Sequence, residues 1–340
     1  MLKAAIVILN WNGKKYLENH LPGIIRHSAI EGIAIYIADN GSTDGSVVFI
    51  EENFPTVKLI QFDRNYGFSS GYNKALSVID AEYFILLNSD VEVTQGWISS
   101  LMEVMDNDPS VAACMPKIKA YNNKEQFEYA GASGGFIDKF GFPFCRGRIF
   151  NIIEMDSNQY DDSCETFWAS GACMLIRASL FRKAGGLDDD FFAHMEEIDL
   201  CWRLKNMGYK IMVLPRVEVY HVGGGTLPNN NPHKLFLNFR NNLWLLFKNV
   251  DNKKLYRVLF FRLLFDIIAA MSFLFSFRPD FFYSVLKAHN AFFRSIGELT
   301  IKRKRNFQFF IKSDHNEIYP HSIVFQFFIK DIKTFNNLKF

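Results

Sequence analysis

The amino-acid sequence predicts an α/β protein with a mostly parallel, doubly wound sheet and amphipathic helices at its C-terminal end. Residues 4–9 and 33–38 are continuous apolar runs closed by polar turns, as in parallel strands buried on both faces. Helix-length segments follow these runs at 14–28 and about 44–53. This alternation of strand and helix is typical of open α/β sheets, which bind ligands beyond the carboxyl ends of their strands.

The elements that follow are predicted from the same patterns. Residues 120–165 are rich in glycine and aromatic side chains but have no clear period, and we expect them to cover a binding cleft. A helix is also expected within the second half of 185–209, where apolar residues recur at helical spacing. The remaining predictions are strands at 57–62, 83–87, 109–119 and 211–219, and helices at 97–106 and 178–184.

Charge is distributed unevenly along the 340 residues. Residues 251–340 carry 15 Lys and Arg against 7 Asp and Glu, whereas residues 1–250 carry 23 against 29. The chain contains 36 Phe, and the apolar surplus is also concentrated late. A basic, Phe-rich tail (251–340) behind an acidic body (1–250) indicates an anionic surface as partner, and a membrane is the first candidate.

The cysteines and the N-terminus indicate the compartment. The number of cysteines is odd and they form no C-x-x-C pair, which argues against a disulfide framework and a zinc knuckle. The opening segment MLKAAIVILNWNG is too short an apolar run for a signal peptide and is interpreted as a first strand. A reducing cytosol fits best. The five cysteines are Cys114, Cys145, Cys164, Cys173 and Cys201.

Carboxylates follow two of the predicted strands. The segment LLNSDVEV (86–93) ends an apolar run in Asn88, Ser89 and Asp90, and Asp39 follows the second strand. Mg²⁺ and Mn²⁺ prefer oxygen ligands and are commonly held by one or two carboxylates together with substrate phosphates. The pattern favours a cation site at this edge of the sheet, and a simple polar turn is the alternative.

A glycine-containing loop lies between the third strand and the next helix, in RNYGFSSGYN (64–73). Gly67 and Gly71 allow a ligand to approach the backbone closely, and Asn65 and Asn73 can hydrogen-bond a base or a ribose. The spacing matches neither the Walker nor the Rossmann pattern, so an ordinary loop before a helix is the alternative.

Three carboxylates occur within four positions of HMEEIDLCWR (194–203), namely Glu196, Glu197 and Asp199. Their mutual repulsion favours a raised pKa for one of them, which suits a general base. Acidic residues are also common at helix N-termini, where the helix dipole stabilises them. His221 precedes Gly223 and two further glycines and is a candidate metal ligand or the end of a strand.

Seven segments in this order resemble the family 2 glycosyltransferases, most closely their bacterial rhamnosyltransferase-like branch, over about residues 4–245. The resemblance implies a GT-A fold in a catalytic domain over 1–250. It further implies inverting transfer of a sugar from a nucleoside diphosphate donor, such as dTDP-rhamnose or a UDP-sugar, with Mg²⁺ or Mn²⁺. The segments are VILNWNG, DNGSTDGS, NYGFSSGYN, LLNSDVEV, WASGACMLIR, GGLDDDFFAHMEEIDLCWR and YHVGGGT.

The resemblance also implies roles for single residues. Asp90 would bind the metal as the last residue of a D-x-D-type element, which includes Ser89, and His221 would be an additional ligand. Glu197 would be the base, with Glu196 beside it. The residues expected to line the nucleoside pocket are Asn10, Asp39, Asn65, Gly67 and Asn73, and those expected to shape the donor-sugar and acceptor pocket are Trp168 and Gly171.

Two positions depart from the family pattern. Asn88 occupies the first position of the D-x-D-type element, as in the rhamnosyl branch, which removes one charge from the metal site. The base position carries Glu197 where Asp is commoner, so Asp199 remains a rival base.

The tail suggests contact with lipid. Residues 255–277 have about the length of a membrane span, but Arg257, Arg262 and Asp266 interrupt them, so we expect a helix lying in the membrane plane. The KRKR segment at 302–305 is expected to attract anionic lipid at about 1 kcal/mol per charge. The alternatives are helices packed on the body or a dimer interface.

These observations predict a cytoplasmic enzyme held peripherally on the inner face of the cell membrane. Its expected partners are a nucleotide sugar, a glycan or lipid-linked acceptor in bacterial surface polysaccharide synthesis, and a second copy in a homodimer. No nucleic-acid recognition fold accompanies KRKR, so no nucleic-acid partner is expected. Two other functions stay open: a nucleotidyltransferase on a similar scaffold, or a non-catalytic sugar-binding scaffold protein.

Overall fold

The structure is a computed structural model and describes residues 1–223 and 231–340. Parallel strands form one half of its main sheet. Its main sheet has the strand order β12-β14-β6-β13-β4-β1-β2-β3, with β5 and β7 paired to β14 and β6. The strands are β1 Leu2–Asn10, β2 Ile33–Asp39, β3 Lys58–Gln61, β4 Ala81–Asn88, β5 Val91–Val93, β6 Val111–Ala120, β7 Asn123–Phe127, β8 Gly135–Asp138, β9 Pro143–Cys145, β10 Arg148–Ile149, β11 Ile152–Ile153, β12 Cys164–Thr166, β13 Cys173–Arg177, β14 Lys210–His221 and β15 Ile318–Tyr319.

Helices cover the sheet and form the C-terminal part of the chain. Helices α1 to α4 connect or follow the parallel strands, whereas α7 to α10 pack on one another and α7 also packs on α6. Their bounds are α1 Lys14–His27, α2 Ser46–Asn53, α3 Gly67–Ser77, α4 Trp97–Asn107, α5 Ala178–Lys183, α6 Glu196–Asn206, α7 Pro232–Asn249, α8 Leu255–Phe275, α9 Pro279–Arg294, α10 Ile296–Phe307 and α11 Ile323–Phe328.

The sheet is more mixed than a doubly wound pattern alone implies. Strands β3, β2, β1 and β4 are parallel, as the apolar runs predicted. Strand β13 inserts antiparallel between β4 and β6, and β12 and β5 pair antiparallel with β14. Strands β1 and β4 are fully buried at their centres, which explains their continuous apolar sequence. Strand β2 is buried only over its last three residues, so the expectation of burial on both faces holds for part of it.

A second sheet occupies the stretch that had no clear period. Its order is β11-β10-β9-β8-β15, and β15 comes from the C-terminal end of the chain. Tyr319, Ile323 and Phe327 of that end join Phe136 and Phe144 in a separate apolar cluster. The last part of the tail is therefore packed on the body.

Helix α8 buries a charged pair and exposes many apolar side chains, although it also buries Leu255, Val258, Leu259 and Ala270 and exposes Arg257. Its buried face carries Arg262 paired with Asp266 at 2.8 Å, and His289 of α9 contacts the same carboxylate at 3.2 Å. Its outer face is apolar: Tyr256, Phe260, Leu264, Ile267, Ile268, Met271, Leu274 and Phe275 are all exposed. Within the described residues, it is the one helix whose length and composition would allow it to cross a membrane.

Candidate active site

The strand-end residues lie side by side at one edge of the sheet. In the register of the parallel strands, Asn10 is opposite Asp39, and Leu9 is opposite Asn88. The carboxyl ends of β1, β2 and β4 therefore border a common crevice, where open α/β sheets bind their ligands.

Asp39 and Asn10, both expected to line the nucleoside pocket, are hydrogen-bonded to each other at the strand ends. Asn10 Nδ2 donates to Asp39 Oδ2 at 2.9 Å, and the Ser42 N–H donates to Asp39 Oδ1 at 2.8 Å. Asn10 Oδ1 is buried without a hydrogen-bond partner, so it can accept from a ligand. A Cβ at Gly13 would lie 2.5 Å from Asn10 Oδ1 and 3.4 Å from Ser89 Oγ, so glycine is required where these side chains approach each other.

The glycine loop is packed against the segment that precedes the acidic cluster. Gly67 has φ +78°, and a Cβ there would lie 2.8 Å from the Phe192 ring. Asn65 Oδ1 accepts from Asn40 Nδ2 at 3.0 Å and from the Gly67 N–H at 2.8 Å, which fixes the turn into α3. Gly71 is close to Leu9, where a Cβ would lie 2.8 Å from the leucine side chain.

Asn73 is used within the fold. Its Nδ2 donates to the Leu187 carbonyl and to Asp189 Oδ1, both at 2.7 Å, and its Oδ1 accepts from the Leu187 N–H at 3.0 Å. A nucleotide could reach this amide only by exchanging one of these bonds. The predicted donor-binding roles of Asn65, Gly67 and Asn73 stay predictions.

Asp90 and His221 form the predicted metal pair. His221 Nε2 lies 3.2 Å from Asp90 Oδ1 and 3.3 Å from Asn88 Nδ2. Ligands in adjacent positions around an octahedral ion, each about 2.1 Å from it, lie about 3 Å apart, so this pair fits one Mg²⁺ or Mn²⁺ ion. Within residues 1–223 and 231–340, no group of three or more His, Cys, Asp and Glu is arranged to hold a metal, so the other ligands would be phosphate oxygens and water. Residues 224–226 of the YHVGGGT segment lie outside the described residues.

Glu128 is a site residue that the sequence did not indicate. Its Oε1 lies 3.5 Å from His221 Nδ1, on the opposite side of the ring from Asp90. A carboxylate in this position orients a metal-binding histidine. Burial lowers the pKa of His221, but the nearby carboxylates of Asp90 and Glu128 outweigh it and raise that pKa to about 10, so the ring is protonated here and a cation bound to Nε2 would have to displace a proton. Glu128 lies in the stretch without a clear period, where no motif marks it.

Glu197 lies near the ends of the strands, with Gly171 between it and them. A Cβ at Gly171 would lie 3.9 Å from Glu197 Cβ and 3.2 Å from the Phe68 ring. The neighbouring residue Ala172 accepts a hydrogen bond from the Asn88 N–H at 3.0 Å. The acidic cluster and the Asn88–Asp90 segment therefore border the same crevice, with the small residue Gly171 between them.

The three carboxylates of the acidic cluster differ in their surroundings. Burial raises the pKa of Glu197 to about 7, and it raises the pKa of Glu196 well above its ordinary value with help from the charge of Glu197. Oε2 of each glutamate is buried without a hydrogen-bond partner. Glu197 is the less buried of the two, so its carboxylate is the one that can reach a substrate.

Asp199 is fully engaged. Its Oδ2 accepts from Arg203 Nε at 2.9 Å, and its Oδ1 contacts Asn249 Nδ2 at 2.7 Å and Lys248 Nζ at 2.9 Å. Burial raises its pKa, but Lys248 and Arg203 outweigh burial and lower it. The suggestion that Asp199 is a rival base does not fit a carboxylate with both oxygens paired and no exposed surface.

Helix α7 holds the loop that leads into Glu197. Phe192, His194 and Met195 all have positive φ, which is strained for residues other than glycine. The two hydrogens of Asn241 Nδ2 are shared among the carbonyls of Phe191, Ala193 and His194, which lie 3.1, 2.9 and 2.8 Å from the nitrogen. This single amide therefore fixes the loop conformation and with it the start of α6.

Trp168 packs inside the fold. Its indole covers Gly135, where a Cβ would lie 2.1 Å from the ring, and its Nε1 donates to the Phe136 carbonyl at 2.9 Å. The residue is buried, so it supports the wall that continues into Gly171. Direct contact of Trp168 with a substrate stays a prediction.

Two residues of the KRKR segment, Lys302 and Arg303, bind the catalytic body, whereas Lys304 and Arg305 are exposed. The expected attraction of this segment to anionic lipid stays a prediction. Lys302 pairs with Asp188 and also with Asp190, at 2.5 Å. Arg303 donates to the carbonyls of Phe247 and Val250 at 2.6 and 2.7 Å. These charges fasten α10 to the segment before Glu197, because Asp188 also pairs with Lys248 of α7.

Comparison with solved structures identifies the fold. The chain has the GT-A fold: it resembles GalNAc-T7 with UDP, GalNAc and Mn²⁺ (TM-score 0.59, 15% identity, 75% of this chain and 49% of that one). It also resembles S. aureus TarS 1-349 with UDP (TM-score 0.54, 13% identity, 91% and 89%). At these identities the likeness concerns the fold alone.

The family follows from the sequence comparison. Residues 5–185 match the model described as glycosyl transferase family 2, and the chain belongs to that family. A similar relative is the N-acetylglucosaminyl-diphospho-decaprenol L-rhamnosyltransferase of Mycobacterium tuberculosis, 28% identical over 64% of this chain and 75% of its own. The rhamnosyltransferase WbbL of Escherichia coli K12 is 24% identical over 46% and 61%. The predicted family and fold are confirmed.

Proposed function

We propose that this glycosyltransferase moves a sugar from a nucleoside diphosphate donor to a hydroxyl of a glycan or lipid-linked acceptor, with inversion at the anomeric carbon. The observation that carries the proposal is the common crevice: Asp90 and His221 are 3.2 Å apart, and Glu197 adjoins the same strand ends through Gly171. Candidate donors are dTDP-rhamnose and UDP-sugars, since similar proteins include rhamnosyltransferases and structures with UDP.

In this proposal Asp90 and His221 hold a divalent cation. When bound, the ion neutralises charge on the leaving diphosphate. Glu128 keeps the His221 ring in place, and Asn10 and Asp39 contact the base or ribose. These residues fix the anomeric carbon in front of Glu197.

Glu197 acts as the general base. Its carboxylate accepts the proton of the acceptor hydroxyl as that oxygen attacks the anomeric carbon from the face opposite the diphosphate. A pKa near 7 suits this step, because about half of the group is then ionised at neutral pH and the carboxylate is basic enough to take a proton. Asp199, Lys248 and Asn241 position the base without contacting the substrate.

The outer face of α8 supports attachment to a bilayer. Ionisable side chains in lipid-facing helices turn toward the protein interior, and Arg262 and Asp266 do so while the apolar side chains face outward. The excess of basic residues in 251–340 favours an anionic membrane surface. We therefore place the enzyme peripherally on the cytoplasmic face of the membrane, where a lipid-linked acceptor is accessible.

A panel of nucleotide sugars tests the proposed reaction. The full chain with Mn²⁺ should show a raised Tm with one class of donor and should release the nucleoside diphosphate on transfer to an acceptor hydroxyl. Product NMR should show the opposite anomeric configuration to the donor. Retention of configuration would contradict the single-displacement mechanism, and the absence of any donor effect would contradict the transferase proposal.

A further inference from the structure

The loop that leads into Glu197 contains a strained turn at Phe192. The Ala193 N–H donates to the Phe191 carbonyl at 2.7 Å, and Phe192 between them has φ 64° and ψ −58°. These angles define the γ-turn with positive φ, which is rare and strained for a residue other than glycine. Strain of this kind persists only where surrounding contacts hold it, and it is concentrated at functional sites.

The turn presents an aromatic ring beside the glycine loop. Phe192 is 47% exposed. Its ring packs on Gly67, and its carbonyl accepts from the Phe68 N–H at 2.9 Å. Gly67 is in turn joined to the end of β2, since its carbonyl accepts from Asn40 Nδ2 at 3.0 Å. The Phe192 ring therefore lies on the β2 side of the crevice.

The same loop carries a histidine with an unused ring nitrogen. His194 Nε2 is buried and has no hydrogen-bond partner within the described residues, and the same holds for Oε2 of Glu196 and of Glu197. Buried polar atoms of native proteins nearly always have a partner, so three such atoms within four residues call for a polar ligand. Burial, followed by the charges of Lys234 and His233, lowers the pKa of His194 to about 4. Its imidazole is therefore neutral at pH 7 and can donate to a hydroxyl or accept from one.

This loop runs along the path of the donor. It begins beside Gly67, next to the end of β2, and leads to Glu197. In the proposed function the nucleoside lies at the ends of β1 and β2, and the anomeric carbon lies in front of Glu197. The metal pair holds the diphosphate, so the remaining part of the donor beside this loop is the transferred sugar.

We propose that the loop recognises the transferred sugar, with Phe192 packed on an apolar face of the sugar ring and His194 Nε2 hydrogen-bonded to one of its hydroxyls. An aromatic ring beside a few polar groups is the usual lining of a small-molecule pocket. The inference rests on the proposed function and adds two residues that discriminate between donor sugars. Because Asn241 holds the loop through backbone carbonyls, replacing these two side chains leaves its hydrogen bonds in place.

Titration of paired ligands on the full chain tests this assignment. With Mn²⁺ present, isothermal titration compares UDP-glucose, dTDP-rhamnose and GDP-mannose, each with its parent nucleoside diphosphate. His194→Phe and Phe192→Ala should each weaken the nucleotide sugar that the wild type binds by about fivefold or more, while the parent diphosphate stays within about twofold. His194→Gln, which keeps an N–H group on a side chain of similar length, should recover part of the affinity.

Exposed residues of the tail provide the controls, His321→Phe and Phe309→Ala, and both should bind every ligand as the wild type does. Three results would overturn the inference: unchanged nucleotide-sugar affinity in either loop variant, an equal loss for the parent diphosphate, or the same loss in the controls. Retained Tm and diphosphate affinity show that a variant is folded. If the wild type binds no nucleotide sugar of the set, the proposed function fails. If it binds one and the loop variants bind it equally well, only the loop assignment fails.

Discussion

At the scale of single residues, environment assigns different tasks to similar carboxylates. Asp199 is fully paired with Arg203, Lys248 and Asn249, whereas Glu197 keeps one buried oxygen without a partner. The pKa of Asp199 is lowered and that of Glu197 is raised to about 7. A group with an unpaired oxygen and a pKa near neutrality suits proton transfer, and a fully paired one suits positioning.

The raised pKa of Glu197 predicts the pH dependence of transfer. Protonated Glu197 cannot accept a proton, so the rate should fall about tenfold per pH unit below about pH 7 and level off above it. Rates at saturating donor and acceptor between pH 5.5 and 9 measure this. A profile that stays flat down to pH 5.5 would contradict a base with this pKa.

Asp90 predicts how donor binding depends on metal. The Asp90→Ala variant lacks one of the two proposed protein ligands of the metal. The factor by which Mn²⁺ strengthens donor binding should therefore be at least tenfold smaller in this variant than in the wild type. Titration calorimetry of the donor with and without Mn²⁺ measures the difference. Asp63→Asn, at an exposed position, is the control. An unchanged effect of Mn²⁺ would remove Asp90 from the metal site.

At the scale of elements, helix α7 connects the catalytic loop to the C-terminal helices. Its Asn241 binds three carbonyls of the strained loop before Glu197, and its Lys248 reaches Asp188 and Asp199. The next residue, Asn242, points elsewhere and donates to the Gly141 carbonyl at 2.7 Å. Neighbouring asparagines of one helix thus serve the active-site loop and the second sheet separately.

This arrangement gives a matched pair of variants. Asn241→Ala should lower kcat about 10- to 100-fold with little change in donor Kd, because the loop carrying the base loses both N–H groups of the amide that holds its carbonyls. Asn242→Ala should cost similar stability, about 1–3 kcal/mol, with a much smaller effect on kcat. Steady-state kinetics and thermal unfolding measure both. Equal kcat losses in the two variants would show that the effect is general destabilisation.

The sequence predicted the elements near the N-terminus well and the second sheet not at all. Strands such as β1 and β4 are buried on both faces, so their local composition reveals them. Strand β15 pairs with β8, which lies far earlier in the sequence. A pairing between such distant segments leaves no periodic pattern of apolar residues in the local sequence. Glu128 lies in that irregular stretch. The contacts of Lys302 with Asp188 and of Arg303 with backbone carbonyls join distant parts of the chain, so no local pattern shows them.

At the scale of the whole molecule, the tail both packs on the body and presents an apolar surface. Residues of β15 and α11 complete the core of the second sheet, while the outer face of α8 remains uncovered in the described structure. Helix α8 rests on α7 through Arg262 and Asn242. The same helix α7 that positions the base therefore supports the surface that we assign to the membrane.

The membrane assignment predicts flotation. The full chain should float with anionic liposomes, and a Phe260→Ser, Ile268→Ser, Phe275→Ser variant should lose most of this binding because it loses apolar area on one face of α8. Val48→Ser with Val78→Ser, which removes exposed apolar groups from the body, should float normally. Equal flotation of both variants would contradict the assignment, and a dimer lost only in the first variant would identify that face as a subunit interface.

The central claim is that Glu197 takes the proton from the acceptor, and one substitution tests it most directly. Glu197→Gln keeps the shape of the side chain and removes its basicity, so kcat should fall by about 10²–10⁴-fold while donor Kd stays within about twofold. Glu52→Gln, at an exposed position on α2, should behave as the wild type. Turnover of Glu197→Gln at the wild-type rate, with donor binding intact, would contradict the claim.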